Sequence, residues 1–228
     1  MRTKPATPRR AAPLDDPVDD PDRLARLVVV GASWGGLHAI STIVSALPPT
    51  FAAPVLVVQH RGRDAAGLLA DLLQDVTPLR VIDAEDKEPL LGGHVYVAPP
   101  DYHVLVDDEH LALSTDAAVK YSRPSIDVAL AAAADAFADR AIGVVLTGAN
   151  DDGARGLRRI VDRGGWAVVQ APETAEVRTM PDAALRAVRE AGARRYVVAP
   201  LDRIAMELMA LVDTGAPAAA SAPGGTVS

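Results

Sequence analysis

The sequence contains no cysteine. Disulfide bonds, thiolate metal sites and cysteine nucleophiles are therefore excluded together. The histidines number five, and the sequence has neither a His-Glu-x-x-His pattern nor a carboxylate cluster with the spacing of metal ligands. We accordingly expect no metal ion. A chain without disulfides fits a reducing compartment, and we expect a cytoplasmic protein.

Long apolar runs and an excess of positive charge are absent as well. No uninterrupted apolar stretch approaches the roughly 18 residues that cross a bilayer, so membrane insertion is not expected. The net charge of −7 argues against a general affinity for nucleic acid. Only eight residues are aromatic while 49% are hydrophobic, so the core must be mainly aliphatic.

The two ends of the chain differ in composition from the middle. Residues 1–25 are rich in proline and in charged side chains, which predicts a disordered leader. Residues 214–228 consist mainly of alanine, proline, glycine and serine, which predicts a flexible tail. Residues 26–213 then form one folded domain of ordinary size.

Within that domain, short apolar runs alternate with amphipathic segments. Residues 27–30, 55–58, 142–146 and 166–169 have the length and composition of buried strands, and helical periodicity follows them. This alternation predicts an α/β fold, a doubly wound and mainly parallel sheet with helices on both faces. Residues 102–113 add a local antiparallel hairpin. In such sheets the functional groups gather beyond the carboxyl ends of the strands.

The turn after the first strand carries a possible nucleophile. Gly31-Ala32-Ser33-Trp34-Gly35 matches the G-x-S-x-G elbow, which exposes a serine hydroxyl between a strand and a helix. The N–H of Trp34 would then stabilise a developing oxyanion. The same turn is also consistent with a phosphate cradle, or with a plain turn in which Ser33 caps the helix. A dinucleotide site is disfavoured because G-x-G-x-x-G is absent.

A serine nucleophile needs a base, and His60 is the best candidate. It alone among the histidines directly follows an apolar strand, which places it on the sheet edge that carries Ser33. His38 is expected on the surface. The remaining three flank the hairpin strands, where we expect partly exposed structural roles: His94, His103 and His110.

The base in turn needs an acceptor for its other ring N–H. Asp151 and Asp152 both follow the strand 142–146 and precede a helix. Either could serve the histidine or cap that helix, and their spacing does not choose between them.

Several short motifs recur in a fixed order along the domain. They are Val30-Gly31-Ala32-Ser33, Gln59-His60, Gly93 to Pro99, Arg123 to Asp127, Gly143 to Gly148, Asp152-Gly153-Ala154 and Met180-Pro181. In this order they resemble the catalytic domain of the chemotaxis receptor methylesterases of the CheB type. The resemblance implies that Ser33 is the nucleophile, His60 the base and Asp152, rather than Asp151, the orienting acid. It also implies that Arg123 and Met180 lie near the active-site cleft.

What is known of that family supplies further expectations. Its members have a doubly wound α/β fold and hydrolyse glutamate γ-methyl esters on receptor helices, and some also deamidate glutamine there. The resemblance implies no cofactor, and a methylated receptor or another methylated protein as partner. Well-known members carry an N-terminal receiver domain, for which the residues before the first strand are too few. The alternatives are an esterase of the same mechanism with another substrate, and a non-catalytic nucleotide- or phosphate-binding module.

Overall fold

The computed structural model describes residues 24–61 and 68–218. Most of the predicted leader and tail therefore lies outside the described residues, and both stay predictions. Within the described ranges no helix combines the length and the apolar character needed to cross a membrane.

A parallel sheet forms the centre of the molecule. The strands are β1 (Leu27–Ala32), β2 (Val55–Gln59), β3 (Arg80–Asp83), β4 (His94–Val97), β5 (His103–Asp107), β6 (His110–Ser114), β7 (Ala141–Val145), β8 (Trp166–Gln170) and β9 (Tyr196–Ala199). Seven of them pair in the order β3-β4-β2-β1-β7-β8-β9, and every pairing in this sheet is parallel. Strands β5 and β6 form a separate antiparallel hairpin, as predicted.

Helices cover both faces of this sheet. They are α1 (Gly36–Ser45), α2 (Leu68–Gln74), α3 (Ile126–Phe137), α4 (Ala154–Asp162), α5 (Thr179–Glu190) and α6 (Ile204–Thr214). Alternate residues of β1 serve the two faces: Val28 and Val30 pack with α1, α2 and α6. Leu27 and Val29 pack with α3, α4, α5 and the hairpin. The predicted doubly wound α/β fold is confirmed.

The order of the strands creates a switch point at β1. The chain leaves β1 through α1 on one face to reach β2, whereas β7, on the other side of β1, is entered from α3 on the opposite face. Loops at the carboxyl ends of such neighbouring strands diverge and leave a crevice, which is where doubly wound proteins bind ligands. The ends of β1, β2 and β7 therefore define the edge that carries the site.

The first turns of three helices show how their local sequences are accommodated. Helix α3 begins at Ile126, and Ser125 is its N-cap in an extended conformation. Helix α5 begins at Thr179, and Pro181 lies in its first turn, where the spare N–H groups make a proline tolerable. In α1, Leu37 is 40% exposed.

Candidate active site

Ser33 lies between His60 and Thr147 at the carboxyl edge of the sheet. The register pairs Ala32 with Gln59 on one side and Gly31 with Val145 on the other. Continued beyond the strand ends, it brings Ser33 level with His60 and with Thr147. Two main-chain hydrogen bonds extend these ladders: His60 N–H donates to Ala32 O at 3.1 Å, and Ser33 N–H donates to Thr147 O at 3.0 Å. Side chains alternate between the faces of a sheet. Ser33 and His60 therefore both belong to the face that carries α3.

A sharp turn carries Ser33 from β1 into α1. Gly35 has a φ of +75°, in the left-handed region, and a Cβ there would lie 2.5 Å from Glu176 Oε2. Glycine is thus required both by conformation and by space. Gly35 is the N-cap of α1, and no described side chain caps this helix. The interpretation of Ser33 as a helix cap is therefore wrong.

His60 is hydrogen-bonded to Asp152 and not to Asp151. The distance from His60 Nε2 to Asp152 Oδ2 is 2.8 Å, and the two side chains are 11% and 0% exposed. Asp151, in contrast, is 66% exposed and forms an ion pair with Lys120 at 3.1 Å. Two adjacent carboxylates that the spacing did not distinguish thus have opposite environments.

Four further donors surround the buried carboxylate of Asp152. They are Ser125 Oγ at 2.9 Å and the N–H groups of Ile126 at 2.8 Å, Asp127 at 3.0 Å and Gly153 at 3.1 Å. Two of these N–H groups belong to the first turn of α3, where the helix dipole also favours a negative charge. An ionised carboxylate can only accept hydrogen bonds, so His60 Nε2 must be the donor. Nδ1 is then the ring atom left to act as a base.

The pKa of Asp152 is lowered from its ordinary value. Burial is the largest influence and by itself would raise this pKa, because it disfavours the charge. The hydrogen bonds from His60 and from the N–H groups of Asp127 and Ile126 act in the opposite direction and together outweigh it. Asp152 is consequently ionised throughout the neutral range.

The Ser33 hydroxyl is half-buried and makes no hydrogen bond to any described residue, His60 included. A bond between a nucleophile and its base often tightens only when substrate binds. The structure therefore places Ser33 and His60, the predicted nucleophile and base, on neighbouring strand ends without joining their side chains.

Trp34 combines an exposed side chain with an available main-chain donor. Its ring is 66% exposed, and Nε1 donates to Glu176 Oε1 at 2.9 Å. Within residues 24–61 and 68–218 its main-chain N–H has no hydrogen-bond partner. This group is thus available to the oxygen of a bound carbonyl.

Met180 and Ser33 lie on two sides of Gly148. The methionine is 1% exposed, and its N–H donates to Gly148 O at 3.0 Å. A Cβ at Gly148 would overlap Met180 Sδ and would lie 2.9 Å from the Cβ of Ser33. Glycine at position 148 is what allows both side chains to approach.

Arg123 shapes a cavity next to His60 but does not touch the His60–Asp152 pair. It forms an ion pair with Asp101 at 2.6 Å and donates to the carbonyls of Thr115 and Asp116. The cavity has a volume of about 460 Å³ and is lined by His60, Arg61, Asp101, Ala118, Tyr121, Ser122, Arg123 and Pro124. Ser33 is not among these described lining residues.

Sequence reasoning missed two residues that support Asp152. His103, expected to be partly exposed, is 2% exposed; its Nδ1 accepts from Ser125 N–H at 3.1 Å and its Nε2 donates to Ala117 O at 3.1 Å. Ser125 is fully buried and bonded to Asp152. A serine before an apolar helical segment is a recognisable N-cap signal. The alternation along β5 does not predict the burial of His103, because this residue shares its face of the strand with Leu105 and the exposed Asp107.

The described residues include no group of three or more His, Asp or Glu side chains arranged to hold a metal ion.

The lowered pKa of Asp152 makes a prediction about acid stability. Since the folded-state pKa lies below the ordinary 3.8, the ionised carboxylate stabilises the fold above that pH, and this contribution is lost as the pH falls through the lower, folded-state pKa. We expect the Tm gap between wild type and Asp152→Asn to be constant above about pH 5 and to narrow below about pH 4. Thermal melts from acidic to neutral pH measure it, with Asp151→Asn as control. An equal gap at every pH would contradict this account.

The close approach at Gly148 makes a second prediction. In Gly148→Ala the added methyl group must displace Met180 or Ser33, and a displacement near 1 Å at a reacting group lowers turnover by about 100-fold. The rate at which a fluorophosphonate labels Ser33, followed by intact mass, measures this loss. Adding Met180→Ala removes one of the two clashes, so we expect little recovery. Full recovery in the double variant would show that the contact with Ser33 is unimportant.

Comparisons with known proteins identify the family. Residues 28–208 match the family model described as CheB methylesterase. A putative protein-glutamate methylesterase/protein-glutamine glutaminase of Leptospira interrogans is 45% identical over 161 residues, which are 70% of this chain and 83% of that protein. Protein-glutamate methylesterase FrzG of Myxococcus xanthus is 39% identical over 188 residues, 82% of this chain and 55% of that protein.

A solved structure gives the same result. The crystal structure of the Thermotoga maritima CheB methylesterase catalytic domain superposes with a TM-score of 0.76 at 32% identity, and the match covers 82% of this chain and 98% of that one. Against longer relatives such as FrzG, the chain spans about half of their length. The family match, the curated relatives and the shared fold agree, and the chain belongs to the CheB methylesterase family.

Proposed function

We propose that this chain hydrolyses methyl esters of glutamate side chains in proteins, with Ser33 as nucleophile, His60 as general base and Asp152 as the orienting acid. The observation that carries the proposal is the 2.8 Å hydrogen bond between His60 Nε2 and the buried Asp152 carboxylate, one strand away from a serine on an elbow turn. The names of the relatives, which are glutamate methylesterases, support the choice of substrate.

The first half of the reaction forms an acyl-enzyme. His60 Nδ1 takes the proton of the Ser33 hydroxyl while Ser33 Oγ attacks the ester carbonyl carbon. The carbonyl oxygen becomes an oxyanion, which the N–H of Trp34 stabilises. The tetrahedral intermediate collapses by breaking the bond to the methoxy oxygen, and the proton on Nδ1 goes to that oxygen. Methanol leaves, and the glutamyl group remains on Ser33.

The second half regenerates the serine. A water molecule gives its proton to Nδ1 and attacks the glutamyl carbonyl carbon, and collapse returns the proton to Ser33 Oγ. The product is the γ-carboxylic acid, which loses its remaining proton to solvent and becomes the carboxylate. Asp152 keeps its negative charge in every step, because its role is to hold the Nε2–H tautomer and to stabilise the imidazolium.

The same steps applied to a glutamine side chain release ammonia in place of methanol. The Leptospira interrogans relative is named as a protein-glutamine glutaminase as well. We therefore include deamidation in the proposed activity.

A phosphate cradle at the Ser33 turn is a poor alternative. The carboxylate of Glu176 lies against this turn, since its Oε2 would be 2.5 Å from a Cβ at Gly35. A phosphate bound there would meet a negative charge. The other alternative is an esterase that uses the same mechanism on a different substrate. Methanol release from methylated receptor membranes distinguishes it from the proposed function.

The partner that we propose is a methylated chemoreceptor, in line with the family to which the chain belongs. A cytoplasmic location stays a prediction.

Methanol release from methylated receptor membranes tests the activity and the roles together. We expect Ser33→Ala and His60→Ala to lower turnover by about 10⁴-fold or more, because each removes one member of a coupled unit. Asp152→Asn should also be severe. An amide has one acceptor oxygen where the carboxylate has two, so it cannot accept hydrogen bonds from His60 Nε2 and from all four other donors. Asp151→Asn is the matched control and should stay close to wild type.

Two outcomes would contradict these assignments. A crippled Asp151→Asn beside an active Asp152→Asn would show that the orienting acid is wrong. Undiminished methanol release by Ser33→Ala would exclude the serine mechanism. Fluorophosphonate labelling of Ser33 without any methanol release would instead support an esterase with another substrate.

A further inference from the structure

A buried hydroxyl outside the proposed triad contacts the turn that carries the nucleophile. It belongs to Thr147, which follows β7 and is 1% exposed. Its Oγ1 lies 2.9 Å from Trp34 O, 2.9 Å from Val177 N and 3.3 Å from Val177 O. A hydroxyl has one proton to donate. It therefore donates to the nearer carbonyl, that of Trp34, and accepts from the N–H of Val177.

The main chain of the same residue holds the other end of the Ser33–Trp34 unit. Ser33 N–H donates to Thr147 O at 3.0 Å. The carbonyl of Trp34 accepts no hydrogen bond from α1. The first helical hydrogen bond of α1 joins Ala39 N–H to Gly35 O. In the described part of the chain, Thr147 Oγ1 is the hydrogen-bond partner of that carbonyl. The peptide groups on either side of the Ser33–Trp34 peptide are thus both bonded to one residue, and the carbonyl of Ser33 between them accepts from Gly36 N–H at 2.9 Å.

Thr147 is itself held firmly. Its N–H donates to Gln170 Oε1 at 2.9 Å, and Gln170 is 1% exposed and donates through Nε2 to Thr174 O at 2.9 Å. A β-branched side chain has restricted χ1 freedom. The hydroxyl of Thr147 is consequently a rigid support for the turn.

We infer that Thr147 is a positioning residue for ester hydrolysis. Its carbonyl and hydroxyl bond Ser33 N–H and Trp34 C=O, the groups that flank the Ser33–Trp34 peptide, so that the Trp34 N–H between them is held ready for the oxyanion. This inference rests on the proposed function. Thr147 acts through Trp34 and does not itself contact the reacting atoms. A donor fixed before the charge develops stabilises the transition state without reorganising, which is why its orientation matters for kcat.

A purely structural role makes a different prediction. The hydroxyl also joins β7 to the segment before α5 through Val177. If that were its whole function, removal of the hydroxyl would lower the Tm and leave the rate of the folded protein unchanged. Rate and stability must therefore be measured on the same variants.

Two pairs of proteins compare a side chain that has this hydroxyl with one that lacks it: in the first a methyl group replaces the hydroxyl, and in the second a hydrogen does. They are wild type against Thr147→Val, and Thr147→Ser against Thr147→Ala. For each protein we would measure the rate at which a fluorophosphonate labels Ser33, kcat and KM for methanol release from methylated receptor membranes, and the Tm. The second pair decides the matter if Thr147→Val does not fold.

We expect loss of the hydroxyl to lower the labelling rate and kcat by about 10- to 100-fold within each pair, with a much smaller change in KM. Thr147→Ser should recover most of the wild-type rate. Hydroxyl-free variants that fold and react as fast as the hydroxyl-bearing member of each pair would overturn the role of Thr147. The proposed function would not be affected by that result. A wild-type protein that is not labelled at Ser33 would overturn the proposed function and, with it, this inference.

Discussion

The buried carboxylate of Asp152 is the constraint on which the rest of the site depends. A charge without solvent is costly unless hydrogen bonds surround it, and Asp152 accepts five. Its donors are His60 directly after β2, the N-cap and first turn of α3, and the N-cap of α4, so the charge holds three segments together. Packing supports the same arrangement, because Ile126 at the start of α3 lies directly against Gly31 of β1. The requirements of one carboxylate thus fix where α3 meets the sheet edge.

The same constraint determines what His60 can do. Because the carboxylate only accepts, it selects the Nε2–H form of the imidazole and leaves Nδ1 for the Ser33 hydroxyl. On its other side, Ser33 is bonded through its N–H to Thr147. The proposed nucleophile is therefore supported from both neighbouring strand ends, which is the arrangement that a doubly wound sheet offers at its switch point.

The sequence was sufficient to predict the fold and to select the sheet edge at which the candidate site lies, but not every contact in it. Apolar runs such as residues 27–30 have one structural solution in an α/β chain, and the polar residues that end them necessarily meet at one edge. The choice between Asp151 and Asp152 could not follow from their spacing, since it depends on how α3 approaches them. His103 is buried because the hairpin packs on α3, a contact between separate elements that periodicity does not report. The N-cap role of Ser125 was locally encoded and could have been found.

The state of the His60 ring tests the central claim most directly. Nitrogen-15 chemical shifts of this ring, assigned by comparison with His60→Gln and recorded at about pH 8, report which nitrogen carries the proton. The account predicts a protonated Nε2 and an unprotonated Nδ1 in the wild-type protein, with the preference weakened in Asp152→Asn. A protonated Nδ1 and an unprotonated Nε2 in the wild type would contradict it.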